Sequence, residues 1–318
     1  MQAPNSIQIE PTEGCNLACA FCGIASIREN NASRQLGIHG DSSSPYRFMG
    51  VEVAERIASE MKRLGWNSRI EIAMHGEPTM NKSLPEIITA FRKKLPKAYI
   101  LLTCNGAGIT EQRRFEAVLG SGLNTLALDD YKHANSVPQI RQFVRKLGVP
   151  VYEYPKQKEG NPHRRADGVK IVIIHDISDN TDGNHKLHNQ GGNSGGPAKE
   201  IKRVRCTKPF REIAVRYDGN VAICCDDWQG KYKIGSVMTQ SLDSLWNHPR
   251  FDAARRRLYM GLRDFGVCRG CDVPPNRPGL LPDKSGRDTM PLPNEATDAI
   301  IAEAVSGDPF TKKILRRK

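Results

Sequence analysis

The sequence predicts an α/β fold: a partial (β/α)6 parallel barrel followed by a small domain made of a β-hairpin and helices. Three observations carry this. From residue 6 to about 175, short apolar runs alternate with amphipathic stretches whose apolar residues recur at i, i+3, i+4 and i+7. Alternation of that kind gives a parallel sheet with right-handed crossovers. It then stops at a Gly-, Asn- and His-rich stretch, 178–200, beyond which the pattern differs. Finally, 38% hydrophobic and 26% charged residues in 318 suit a packed core rather than a disordered chain.

The expected strands are 6–11, 70–75, 99–104, 124–129, 149–154 and 169–176, and the expected helices are 51–65, 83–95, 110–122 and 137–148. Gly65, Gly122 and Gly148 stand where helices would stop. Beyond the loop, 210–225 reads as a hairpin turning at Asp218-Gly219, and 241–261 as one helical stretch. The organisation is thus a core over 1–177, a loop or linker over 178–200, a second domain over 201–275 and a tail over 276–318. Six prolines between 274 and 293 make that last region extended, with a short basic helix at its end. In such a fold, ligands gather at the C-terminal ends of the strands.

No apolar run approaches the roughly 18 residues of a membrane span, and no basic-then-apolar leader opens the chain. A cytoplasmic protein with no membrane partner is expected, with its thiols reduced. Its nine cysteines are then metal ligands or catalytic groups rather than disulfides. Residues 199–275 hold 15 basic and 9 acidic side chains, half of the net charge of +12. That excess, including Arg255-Arg256-Arg257, suits an anionic partner such as a nucleotide or nucleic acid, or simply a solubilising surface.

Cys15, Cys19 and Cys22 crowd one loop directly after the first strand. Thiolates at this spacing serve a structural zinc or an iron–sulfur cluster. Zinc wants four ligands, and the loop offers no His or Asp as an obvious fourth. A cubane tolerates three, leaving one iron open. The segment CNLACAFC, set behind Glu-Pro-Thr, resembles the CxxxCxxC signature of the radical S-adenosylmethionine (SAM) enzymes. The resemblance implies a 4Fe–4S cluster on these three cysteines whose open iron chelates SAM. One electron then cleaves SAM to a 5′-deoxyadenosyl radical that abstracts hydrogen from substrate.

By the same resemblance, His75-Gly76-Glu77-Pro78 matches the Gly-Gly-Glu-Pro element that holds the SAM amino group, with His75 in place of the first glycine. Thr103-Cys104-Asn105-Gly106 is similar to the Thr-Asn-Gly that meets the ribose, with Asn105 as the contact. Asp129 falls at a strand end where the family approaches SAM, although Ala127 replaces its usual serine. Phe21 matches the aromatic found near adenine. Read alone, Glu77 is a surface or capping carboxylate, Asp129 and Asp130 are either substrate contacts or a helix start, and His185 and His188 are solvated loop residues.

Cys206, Cys224, Cys268 and Cys271 form a second set, which a structural zinc would also satisfy. With Gly219 ahead of Cys224 and Trp246 ahead of the final CxxC, it resembles the SPASM/twitch extensions. Five cysteines fit the shorter twitch form, with one auxiliary 4Fe–4S cluster and Cys225 spare. Four thiolates would saturate that cluster, so the resemblance implies an electron acceptor and a net oxidation. The substrate class stays open between a carbohydrate-like small molecule, a peptide, and a nucleotide or nucleic acid whose bases would be modified. A flavodoxin- or ferredoxin-type protein is the implied electron donor. Cys104 is either a small core residue or a hydrogen-atom donor, which would give epimerisation. Outside enzymology, a non-catalytic iron–sulfur protein for electron transfer or redox sensing is the competing reading.

Overall fold

The computed structural model describes residues 3–17, 19, 22–24, 46–131, 136–154, 168–175, 191, 193, 205–269 and 271–273. Phe21, His185, His188, nearly all of the 178–200 loop and the tail with its basic end lie outside them. The strands of the first region are β1 (Ser6–Ile9), β4 (Arg69–Ile72), β5 (Ile100–Cys104), β6 (Thr125–Asp129), β7 (Val151–Tyr154) and β8 (Lys170–Ile174). Short strands β2 (Thr12–Glu13) and β3 (Arg47–Phe48) pair antiparallel beside them. The helices are α1 (Val51–Leu64), α2 (Leu84–Lys94), α3 (Gln112–Gly120) and α4 (Ser136–Leu147).

Every strand and helix expected over the core is present. Period-2 alternation puts Ile7, Ile9, Ile70 and Ile72 on one face of the sheet. There they meet the apolar stripes of α1 (Val53, Ala54, Ile57, Met61) and α2 (Ile87, Ile88, Phe91). The opposite face is polar although buried, with Gln8 Nε2 donating to Glu71 at 2.6 Å.

The second region contributes α5 (Lys208–Arg211), β9 (Glu212–Val215), β10 (Asn220–Ala222), β11 (Lys233–Ser236), α6 (Leu242–Trp246) and α7 (Pro249–Tyr259). The expected hairpin is β9–β10, antiparallel, with Gly219 at φ 79° in its turn. It is not a free-standing hairpin. β9 pairs parallel with β1 in matched register, Ser6 to Glu212 through Ile9 to Val215. The sheet therefore runs β11-β10-β9-β1-β4-β5-β6-β8-β7 and is parallel except at β10 and β11. The order also departs from the chain at its far edge, where β8 lies between β6 and β7.

One expectation is corrected. The stretch 241–261 is two helices, not one, broken at Asn247-His248. Pro249 disfavours helical backbone at the residue before it and starts α7 as its first residue. His248 takes extended backbone and its Nδ1 accepts the Arg250 N–H at 3.2 Å. Among the described residues no helix is long and apolar enough to cross a membrane.

Candidate active site and a second cysteine centre

A cleft of about 730 Å³ opens at the C-terminal ends of β1, β4, β5 and β6. Its walls carry Cys15, Cys19 and Cys22, His75, Gly76 and Glu77, Cys104 and Asn105, and Asp129. The fold thus gathers every candidate first-site residue within the described set. Backbone contact draws the loops together, because the Glu77 N–H donates to the Gly14 carbonyl at 2.8 Å. Gly76 sits at φ 63°, and a Cβ there would fall onto the carbonyl oxygens of Thr12 and Gly14, so only glycine permits this approach.

Glu77 is buried and doubly anchored. One carboxylate oxygen accepts from the Thr79 N–H at 3.0 Å and from the Thr79 hydroxyl; the other accepts from the Asn105 N–H at 2.7 Å. It both caps a short 3₁₀ turn, Pro78–Met80, and lines the cleft. Burial raises its carboxyl above the ordinary range despite those donors. Asp129 is pushed up to about 8, by burial first and the nearby Glu77 charge second. Asp130 leaves the site, its carboxylate 2.8 Å from His175 Nδ1. Asn105 Nδ2 donates to Asn16 at 3.0 Å beside Cys15. Burial likewise drives the Cys104 thiol well up.

His75 does not simply stand in for a glycine. Its Nδ1 lies 2.7 Å from Glu10 and its Nε2 2.6 Å from the Cys225 carbonyl, and its ring stacks on Trp228 at 4.4 Å. A carbonyl only accepts, so Nε2 is the donor on that side, while Nδ1 faces the Glu10 carboxylate. Both nitrogens are engaged within the protein; the residue ties β4 to the second region.

Cys206, Cys224, Cys268 and Cys271 line one small cavity, together with Lys208, Asp226 and Arg263. Cys225 does not. It packs with Met74, Ala214 and Ala222, accepting from Lys208 Nζ at 3.2 Å and donating to Glu212 at 3.3 Å. Burial pushes the four lining thiols up, and pushes Cys15 up to about 12. Thiols so placed become thiolates only when metal charge offsets the lost hydration. Three thiols thus line one cleft and four another, and among the described residues no group of three or more His, Cys, Asp or Glu is yet closed up around a metal-sized site.

Trp228, Tyr131 and Met74 also line the first cleft and were not anticipated. Met74 directly precedes the His75-Gly76-Glu77-Pro78 motif, and Tyr131 follows Asp129 by two residues. Trp228 arrives from about 200 residues away, and no local pattern announces it. The three arginines offered for phosphate are differently placed. Arg255 is fully buried between Trp246 and Phe251, each 4.0 Å from its guanidinium, and pairs with Asp252, while Arg257 pairs with Asp264.

Comparison with known proteins agrees with this layout. The Radical SAM superfamily model matches residues 9–129, and an iron–sulfur cluster-binding domain model, SPASM, matches 206–272. The S-adenosyl-L-methionine-dependent 2-deoxy-scyllo-inosamine dehydrogenase of Niallia circulans is 24% identical over 268 residues, covering 84% of this chain and 92% of that protein. Among solved structures, BtrN in complex with AdoMet and 2-DOIA aligns with a TM-score of 0.61 at 19% identity, over 85% of this chain and 94% of that one. BtrN in an open conformation gives 0.55 at 17%, over 85% and 93%. These structural likenesses establish the fold.

Proposed function

The chain belongs to the radical SAM superfamily and carries a SPASM iron–sulfur domain, and from that premise we propose that it dehydrogenates a hydroxyl group on a small carbohydrate-like molecule. The observation that carries the reading is the convergence of Cys206, Cys224, Cys268 and Cys271 on one cavity. Four thiolates saturate an auxiliary 4Fe–4S cluster, which leaves it no place for substrate and suits it to take up an electron. The first three cysteines hold the other cluster with an open iron. When bound, SAM and the two clusters supply a hydrogen-abstracting radical and a sink for the electron left on the substrate.

The residues then divide the remaining work. Glu77, fixed by three donors, holds the SAM ammonium. Asn105 faces the ribose, and Phe21 is assigned to the adenine by its place in the motif. Asp129 lies in the cleft, and in its ionised form it is placed to take the hydroxyl proton. The polar inner face of β1 and β4 supports reading the sheet as a partial barrel, since a sheet covered by helices on both faces would be apolar on both. The carbohydrate assignment draws on the N. circulans dehydrogenase and on the internal use of Arg255 and Arg257, which weakens the nucleic-acid option. A flavodoxin- or ferredoxin-type donor and a reducing cytoplasmic setting complete the proposal.

The test is anaerobic reconstitution of the full chain, with iron and sulfide counted and 5′-deoxyadenosine from SAM assayed beside the Cys15/Cys19/Cys22→Ala variant. About eight irons per chain, with cleavage lost in the variant, is expected. About four irons with cleavage intact would remove the electron sink and the oxidation with it. A second reading rests on Cys104, which lines the cleft and stays a thiol. Epimerisation would carry solvent deuterium into product, whereas dehydrogenation would not.

A further inference from the structure

Trp228 stands at the meeting point of the two regions. It comes four residues after Cys224, yet it packs against Ile24, Cys15 and Cys22 in the first cleft. The approach is close enough that Gly23 must be glycine: a Cβ there would lie 2.6 Å from indole Cε2 and 2.7 Å from Nε1. The indole's orientation is fixed by its stack on His75, which is itself held at both nitrogens. Trp228 is only 8% exposed, and its Nε1–H has no hydrogen-bond partner.

A buried indole N–H normally finds an acceptor, and leaving one unmade costs about 1–3 kcal/mol. The indole packs against Cys15 and Cys22 and lines the same cleft as all three thiols, so the missing acceptor belongs to whatever those thiols hold. Resting on the reading that they hold a 4Fe–4S cluster, we infer that Trp228 Nε1–H donates a hydrogen bond to a sulfur of that SAM-binding cluster. Hydrogen bonds to cluster sulfur favour the reduced, more negative state and so raise its potential. The second region thus tunes the first cluster, and ready reduction of that cluster depends on the Cys224–Trp228 segment being docked.

The experiment replaces the indole with its sulfur isostere, β-(3-benzothienyl)alanine, at position 228 of the full chain, and in parallel uses Trp228→Phe. The first keeps shape and stacking and removes only the N–H. Potentiometric titration is followed by the EPR signal that SAM perturbs, but recorded without SAM. In both proteins the reduction equilibrium should move about tenfold against the reduced cluster, one charge-assisted hydrogen bond's worth. An unchanged potential in the isostere overturns the inference, whatever Trp228→Phe does. A contact with SAM alone would change SAM affinity and leave the SAM-free potential in place, which also overturns it. Failure of the wild-type chain to load iron on Cys15, Cys19 and Cys22 would instead sink the reading beneath it.

Discussion

Glu77 shows how much one carboxylate is asked to do. Its anchoring donors hold it in place before SAM arrives, so little ordering remains to be done on binding. Glu77→Gln keeps the shape and removes the charge. SAM affinity should weaken about ten- to a hundredfold, the worth of a hydrogen bond to a charged group, with iron content unchanged; equilibrium binding to the reconstituted protein reads both. The pH dependence follows from the direction of its shift. Burial raises Glu77 above 4.5, and the ammonium requires the ionised form. SAM affinity should therefore fall with decreasing pH already above the ordinary carboxylate range, and the Gln variant should lack that step. Glu77 was legible because its motif is contiguous. The engagement of His75 was not, because Glu10 and Cys225 are 65 and 150 residues away and no spacing rule reaches that far.

Between α6 and α7, the chain turns on a residue that titrates. His248 caps α7 by accepting the Arg250 N–H at Nδ1, which requires that nitrogen to be unprotonated. Burial, with Arg250 nearby, lowers its pKa from 6.5. A lowered histidine contributes stability that is full above the unfolded value and is lost as pH falls through the folded one. Thermal unfolding should thus show His248→Asn, which caps without titrating, losing less stability than the wild type below about pH 6.5. The difference should approach the worth of a cap, about 1 kcal/mol. The same stretch explains a misreading. Apolar periodicity runs through 241–261, but Pro249 outranks it, and Arg255 lies inside the packed layer because aromatic faces and Asp252 replace its water. Composition counted that arginine as surface charge, and only packing places it in the core.

For the molecule as a whole, the sequence made the strand–helix alternation, the strand-end position of the motifs and both cysteine sets readable, since each is local or periodic. It did not show that β9 would extend the core sheet, because strand pairing across about 200 residues leaves no periodic trace. That pairing brings Arg216, just beyond β9, onto Glu10 and Glu13 just beyond and beside β1. All three are buried, and Arg216 with His75 holds Glu10 below its ordinary range in spite of burial. Glu13 is raised, by burial first and by Glu10 next, even though Arg216 and Arg47 both pair with it. Removing the Arg216 guanidinium leaves buried charge with too little compensation, which costs about 3–5 kcal/mol. Arg216→Met should therefore lower the unfolding free energy by that much, read from denaturant titration, and loosen both cysteine cavities together, seen as reduced iron at each. Combining it with Glu10→Gln and Glu13→Gln should restore much of the lost stability, because the penalty lies in the unpaired charges and not in the missing attraction. If Arg216→Met instead emptied only the second cavity and left the first loaded, the two regions would be joined by β9 pairing alone, and the buried ion pairs would not couple them.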